Sequence, residues 1–141
     1  VTAVDNSEEA LAVARENARA LAPGNVELVH GNWTEPVRSR TFDMVLSNPP
    51  YVAQDAQELE ALRHEPLSAL AAGIDGLDAI RLLATECRDI MAVGGLLLIE
   101  HGADQEVAVA ALFETAGWTD ICCHNDLAGL PRVTAARRGG K

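Results

Sequence analysis

The sequence predicts an α/β fold, an α/β sheet that closes in an antiparallel hairpin. Three observations carry this. Val1 to Ser47 reads strand, helix, strand, loop, strand, the order expected when helices pack on a sheet. Phe42-Asp43-Met44-Val45-Leu46-Ser47 is a short apolar run that alternates poorly and breaks abruptly at Asn48-Pro49-Pro50-Tyr51, as a buried parallel strand does. Two late strand-like runs, Trp118 to His124 and Arg132 to Arg137, are joined by a loop (Asn125 to Pro131) short enough for a hairpin, hence antiparallel pairing.

Taken in order, Val1 to Asp5 is a strand running directly into a helix. Asn6 or Ser7 is placed to cap that helix, and Glu8 and Glu9 fill its first turn, where the helix dipole favours negative charge. Leu11, Ala14, Ala18 and Leu21 recur at helical spacing as the buried stripe, and Pro23-Gly24-Asn25 ends the helix. Val26 to His30 is the second strand, followed by Gly31-Asn32-Trp33; the third begins at Phe42. Gln54 to Gly73 is polar and mixed, with a weak helical face at Leu59 and Leu62 and a Pro66 that prevents one long helix. Coming straight after Tyr51, it is a candidate lid. Asp75 to Met91 has the clearest helical pattern, with Leu77, Ile80, Ala84, Cys87 and Met91 three or four apart. Gly94-Gly95 reads as its stop and Leu96 to Glu100 as a short apolar strand. Val109, Leu112, Phe113 and Ala116 mark another helix, closed by Gly117, and Arg137 to Lys141 is expected to fray.

Composition bounds the function. At 141 residues the chain is one domain's worth, residues 1–141, able to bury roughly two-thirds of its unfolded surface. The apolar fraction is 48%, and no uninterrupted apolar segment is long enough to span a bilayer. No signal peptide is visible, so a cytoplasmic location without membrane attachment is expected. Cys87, Cys122 and Cys123 are odd in number and lack a Cys-x-x-Cys arrangement, reading as small hydrophobes in a reducing compartment. His30, His64 and His124 form no metal-like spacing. A net charge of −10 argues against tight direct binding to nucleic acid, which needs Lys and Arg against phosphate. Acidity suits a basic protein partner better. The chain opens at Val1, without Met, already inside a strand-like run, which reads as a fragment.

The corner after the third strand carries the most chemistry. Its two prolines fix φ and remove two backbone donors, so the strand stops there and leaves a stiff turn. A planar –NH2 group has two N–H donors and a lone pair delocalised into its π system, which makes it a poor nucleophile. The Asn48 side-chain oxygen and the Pro49 carbonyl can each accept one of those hydrogens. So held, the nitrogen faces an electrophile in one orientation, and charge developing on it is stabilised. Tyr51 can pack on the flat face of the substrate group. The plain alternative is a strand-ending turn with no substrate.

Other residues are less specific. Asp5 ends a strand, where a carboxylate can accept hydrogen bonds from ribose hydroxyls or simply cap the next helix. Trp33 follows a strand and a Gly; it can lie against a flat ring or be a core or rim tryptophan. Glu100 and His101 also end a strand, but read better as strand-end polar groups than as an acid/base pair. Arg63 and Glu65 can orient substrate or pair with each other.

Asn48-Pro49-Pro50-Tyr51 after such a strand resembles the motif of S-adenosylmethionine-dependent methyltransferases acting on planar amino or amide nitrogens. Together with Ala3-Val4-Asp5, Gly31-Asn32-Trp33, Glu65-Pro66-Leu67-Ser68-Ala69-Leu70, Gly73-Ile74-Asp75-Gly76-Leu77, Asp126-Leu127-Ala128-Gly129 and Arg132-Val133, most of the chain resembles the release-factor glutamine methyltransferases. The resemblance implies a Rossmann-like class I methyltransferase sheet with strand order 3-2-1-4-5-7-6, in which this chain is the C-terminal part of the methyltransferase domain. It implies S-adenosylmethionine as cofactor, with Asp5 on its ribose, Trp33 on its adenine and Asn48 as a further cofactor-binding residue. Asn32 stands where many relatives have Asp, which keeps an acceptor and loses the charge. It further implies Asn48, Pro49, Pro50 and Tyr51 as catalytic residues, and the glutamine of a Gly-Gly-Gln motif in peptide chain release factors as substrate of a monomeric enzyme. The family's first strand and glycine-rich loop are not in the sequence, so the domain is expected to be N-terminally truncated, and the isolated chain to bind cofactor poorly. An adenine-N6 methyltransferase acting on DNA or RNA is the alternative, and a degenerate α/β binding module the third reading.

Overall fold

The computed structural model describes residues 1–21, 24–52 and 73–140. The candidate lid, with Arg63 and Glu65, falls outside them except for Gly73. Two compact units divide the chain, Val1–Arg40 and Thr41–Lys141.

In the first unit, β1 (Thr2–Asp5) and β2 (Glu27–His30) form a parallel two-stranded ladder with Thr2 opposite Glu27 and Asp5 opposite His30. Helix α1 (Glu8–Leu21) connects them. Ser7 caps it, its Oγ accepting from the Ala10 N–H at 3.1 Å, which satisfies one of the first-turn donors that have no partner within the helix. Leu11 is buried, and Ala14 and Ala18 are half-buried. Leu21 departs from the expected stripe, being 84% exposed. The reason is length: a 14-residue helix runs about 21 Å and a four-residue strand about 13 Å, so the last turn overhangs its support. Arg40 closes the unit on Glu27 with paired bonds of 2.5 and 2.8 Å.

In the second unit the described strands run in the order β3-β4-β6-β5. β3 (Phe42–Ser47) pairs parallel with β4 (Met91–Glu100), as expected. It is not the buried strand its apolar run suggests: it lies at the edge of the described sheet, and Met44 and Leu46 are 50% and 70% exposed. β6 (Pro131–Arg138) pairs antiparallel with both β4 and β5 (Trp118–Asn125), so the expected hairpin is present. Among the described residues this unit also has helices α2 (Asp78–Ile90) and α3 (Glu106–Thr115). Ile80, Cys87, Leu97, Ile99, Val109 and Phe113 are wholly buried and form its core. Trp118 joins them, donating from Nε1 to the Ala84 carbonyl at 2.8 Å with its ring 6.0 Å from that of Phe113. Burial pushes the Cys87 thiol up to about 12, so this cysteine is an inert core hydrophobe.

Gly94-Gly95 does not separate helix from strand. The helix ends at Ile90, and β4 passes through both glycines. Phe42 faces Met91 but Met44 faces Leu96, so β4 carries extra residues at a bulge. Gly94 takes φ 81° there, and a Cβ on Gly95 would meet the Ala92 and Asp43 carbonyl oxygens at 2.8 and 3.1 Å. The hairpin turn is organised by Asp126, whose Oδ1 accepts from the Ala128 and Leu130 N–H groups at 2.9 and 3.0 Å. Those bonds, the one from Leu130 foremost, hold its carboxyl below the usual range. None of the described helices is long and apolar enough to cross a membrane.

Candidate active site

β3 ends at Ser47 and delivers the corner at its carboxyl end, the side of an open α/β sheet on which ligands bind. Pro49 is buried, Pro50 and Tyr51 are half-buried, and Asn48 is exposed. The expected stiff turn is not seen: Asn48–Tyr51 leave the strand as irregular backbone without a turn or bend, because two successive prolines hold it extended. The buried proline anchors this segment while the amide before it stays in the open. Among the described residues the Asn48 side chain has no hydrogen-bond partner, so its oxygen and both its hydrogens are available to a ligand.

The segment is held from behind by a residue that the sequence did not single out. Gln105 Nε2 donates to the Tyr51 carbonyl at 3.0 Å and to the Asp75 carbonyl at 3.4 Å, and its Oε1 accepts from the Gly102 N–H at 2.8 Å. Gly76, at φ 73°, lies so close that a Cβ on it would sit 2.3 Å from the Tyr51 oxygen. Next to it, Asp75 receives both terminal nitrogens of Arg81 and the Leu77 N–H. The Arg81 hydrogen bonds are the main reason its carboxyl is held down at about 2. The only local cue to Gln105 was a polar residue ahead of an apolar helical pattern, which says nothing about partners distant in sequence.

Glu100 and His101 follow the bland reading. His101 is fully buried, with Nδ1 2.8 Å from the Gly102 carbonyl oxygen and Nε2 2.8 Å from Thr134 Oγ1. A carbonyl only accepts, so Nδ1 carries a hydrogen, while Nε2 shares a hydrogen bond with the Thr134 hydroxyl and lies 3.9 Å from Cys123 Sγ. With both nitrogens engaged, the ring is occupied in holding β4 to β6. Glu100 is half-buried and lies opposite Val133 in the same ladder.

In the first unit, Asp5 and Trp33 come to the same edge of one ladder. Asp5 ends β1, and the neighbouring β2 ends at His30, after which Gly31 continues the pairing through its N–H to the Asp5 carbonyl at 3.0 Å. The exposed Asp5 carboxylate uses Oδ1 to accept the Ser7 N–H at 2.8 Å, leaving Oδ2 without a partner among the described residues. Asp5 thus does not cap α1 itself but holds Ser7, the residue that does, and keeps its second oxygen open. Trp33 is no core residue: it is 38% exposed, in a left-handed backbone conformation with φ 48°. The turn leading to it is tight, since a Cβ on Gly31 would lie 2.8 Å from Pro36 Cγ. Asn32 sits beside it, its Oδ1 accepting from Asn6 Nδ2 at 3.4 Å.

Comparison with known proteins finds similarity to methyltransferases. Residues 1–70 match the family described as Methyltransferase small domain. A protein of Coxiella burnetii called release factor glutamine methyltransferase is 41% identical over 139 residues, covering 99% of this chain and 50% of its own length. A protein of the same name from Caulobacter vibrioides is 47% identical over 134 residues, covering 92% of this chain and 46% of its own length. The chain thus spans about half the length of the curated relatives it matches. Among solved structures, a methyltransferase from Pyrococcus furiosus superposes with a TM-score of 0.74 at 20% identity, covering 99% of this chain and 63% of that one. At that identity the likeness speaks to fold alone: the α/β arrangement is shared with the matched structure.

Proposed function

We propose, from its likeness to release factor glutamine methyltransferases, that the chain is part of such an enzyme and that this enzyme carries out methyl transfer from S-adenosylmethionine to the side-chain amide nitrogen of a glutamine. The proposed substrate is the Gly-Gly-Gln motif of peptide chain release factors, and the two units are proposed to belong to one catalytic domain. The observation that carries this is the exposed, unpartnered Asn48 side chain at the carboxyl end of a parallel strand, backed by a buried proline. The names of the relatives favour a glutamine amide over an adenine amine.

The residues fit the cofactor. Asp5 Oδ2 is open to ribose hydroxyl donors, and the exposed Trp33 offers a flat face for adenine. When bound, S-adenosylmethionine supplies an electrophilic methyl group on a positively charged sulfur. The protein's part is to present the nitrogen. Asn48 Oδ1 and the Pro49 carbonyl each accept one hydrogen of the glutamine carboxamide, fixing its plane, while Tyr51 and the Pro50 ring shape the slot around it. With the amide so turned, its nitrogen lone pair would be aimed in one direction, toward the methyl group that the cofactor would supply. The positive charge that develops on nitrogen is stabilised by the same two acceptors until one proton leaves to solvent, so no strong base is needed beforehand. His101, buried and engaged through both nitrogens, has no part in the step.

The test is methyl transfer by the intact protein from labelled S-adenosylmethionine. Label is expected on a release factor, lost when the Gly-Gly-Gln glutamine is replaced, and absent from DNA and RNA. Labelled nucleic acid with unlabelled release factor would establish the adenine reading instead.

A further inference from the structure

We propose that Gln105 is a positioning residue for methyl transfer, fixing the Asn48–Tyr51 corner through the Tyr51 carbonyl. The proposal rests on the glutamine-methylation reading above and extends it to a residue outside the motif. Gln105 occupies the N-cap position of α3, yet makes no capping bond to that helix. A side chain in this place ordinarily satisfies the free N–H groups of its own first turn. Here it turns away and ties three chain segments together: the end of the corner at Tyr51, the loop at Asp75, and the stretch after β4 at Gly102. Two of these segments follow the parallel strands β3 and β4 at their carboxyl ends, the side that carries the exposed Asn48.

The chemistry of the clamp asks for a primary amide. Its one oxygen accepts from an N–H, while its two hydrogens go to two carbonyls, at 3.0 and 3.4 Å. A carboxylate of the same shape keeps the first bond and turns a second acceptor toward both carbonyls. The surroundings are cut to fit, because a Cβ on Gly76 would lie 2.9 Å from Gln105 Nε2 as well as 2.3 Å from the Tyr51 oxygen. The corner needs such a handle, since Pro49 and Pro50 have no N–H with which to tie themselves down. Both prolines also have fixed φ, so a constraint at Tyr51 is passed stiffly back to Asn48, whose oxygen and whose neighbour's carbonyl must meet two hydrogens of one substrate group. Misplacement by about 1 Å can cost on the order of 100-fold in rate.

The experiment compares wild type, Gln105→Glu and Gln105→Leu in the intact protein. Turnover and KM on a release-factor substrate are read beside S-adenosylmethionine affinity, melting temperature and the NMR shift of a 13C-labelled Tyr51 carbonyl. Gln105→Glu, which retains the acceptor for the Gly102 N–H, is expected to lower turnover about 10- to 100-fold. Cofactor affinity should stay within about twofold, the melting temperature within a few degrees, and the Tyr51 carbonyl resonance should move. Gln105→Leu should lose at least as much turnover. Wild-type turnover in Gln105→Glu, or a loss no larger than the loss of folded protein, would overturn the proposal. If wild type itself methylated no glutamine, the functional reading would have failed; the clamp would then stand or fall on the Tyr51 resonance alone, an unmoved signal in Gln105→Glu refuting it.

Discussion

The two units of this chain carry their site residues on very different foundations. Val1–Arg40 presents Asp5 and Trp33 from a two-stranded ladder whose buried side chains, Leu11, Thr34 and Val37, are few. Thr41–Lys141 presents Asn48–Tyr51 from a four-stranded sheet with two helices and a continuous core from Ile80 to Ala136. A two-stranded sheet with little buried behind it is marginal on its own, whereas three or more strands packed on helices are not. The difference matters for the proposed division of labour. Orienting an amide for in-line attack tolerates little positional error, and the residues proposed for it sit on the thicker of the two described cores. Those proposed to hold a nucleoside, Asp5 and Trp33, sit on the thinner one.

The largest expected effect sets the two cores against each other. Phe113→Ala removes a fully buried ring that meets Trp118 and should cost about 3–5 kcal/mol, read from denaturant midpoints followed by Trp118 fluorescence. Leu11→Ala should cost less, about 2–3 kcal/mol at the low end for such truncations, because its neighbours in the unit are half-exposed and can close in. A reversed order would break the comparison.

A smaller effect sharpens it at the loop next to the corner. Asp75 is held down at about 2 by Arg81, against an ordinary carboxylate value of about 3.9. A depressed folded-state pKa stabilises fully above the unfolded value and is lost as pH falls through the folded one, so this contribution fades from about pH 4 to about pH 2. Both side chains are nearly half exposed, so the effect on stability is modest. A 13C titration of the Asp75 carboxyl should show a midpoint near 2 that returns toward 3.9 in Arg81→Ala. An unchanged midpoint would remove Arg81 as the cause.

Much of this organisation was legible because it is local. The apolar run at Phe42, the Ser7 cap, the helix spacing from Leu77 to Cys87 and the short loop before Pro131 each need only a few neighbouring residues to be read. The end of that strand was legible for the same reason, since two prolines in succession cannot continue a ladder. Other features were not. Gly94-Gly95 reads as a stop, but a bulge in β4 uses the same freedom of backbone within a strand. Leu21 has the right spacing for burial, but spacing says nothing of where the strands beneath it end. Gln105 bonds to a carbonyl 54 positions away, and no periodicity or motif announces such a partner.

The most direct test of the proposed division is a crossed pair of variants in the intact protein, with turnover at saturating S-adenosylmethionine and cofactor affinity measured for each. Asn48→Ala should lower turnover by roughly 100-fold or more and leave affinity within a few-fold, as for loss of a group that stabilises developing charge. Asp5→Asn should weaken affinity by about tenfold, in keeping with one charge-assisted hydrogen bond, and leave saturated turnover nearly intact. If Asn48→Ala lost affinity and turnover equally, Asn48 would be a binding residue, and the claim that this corner orients the amide nitrogen would be contradicted.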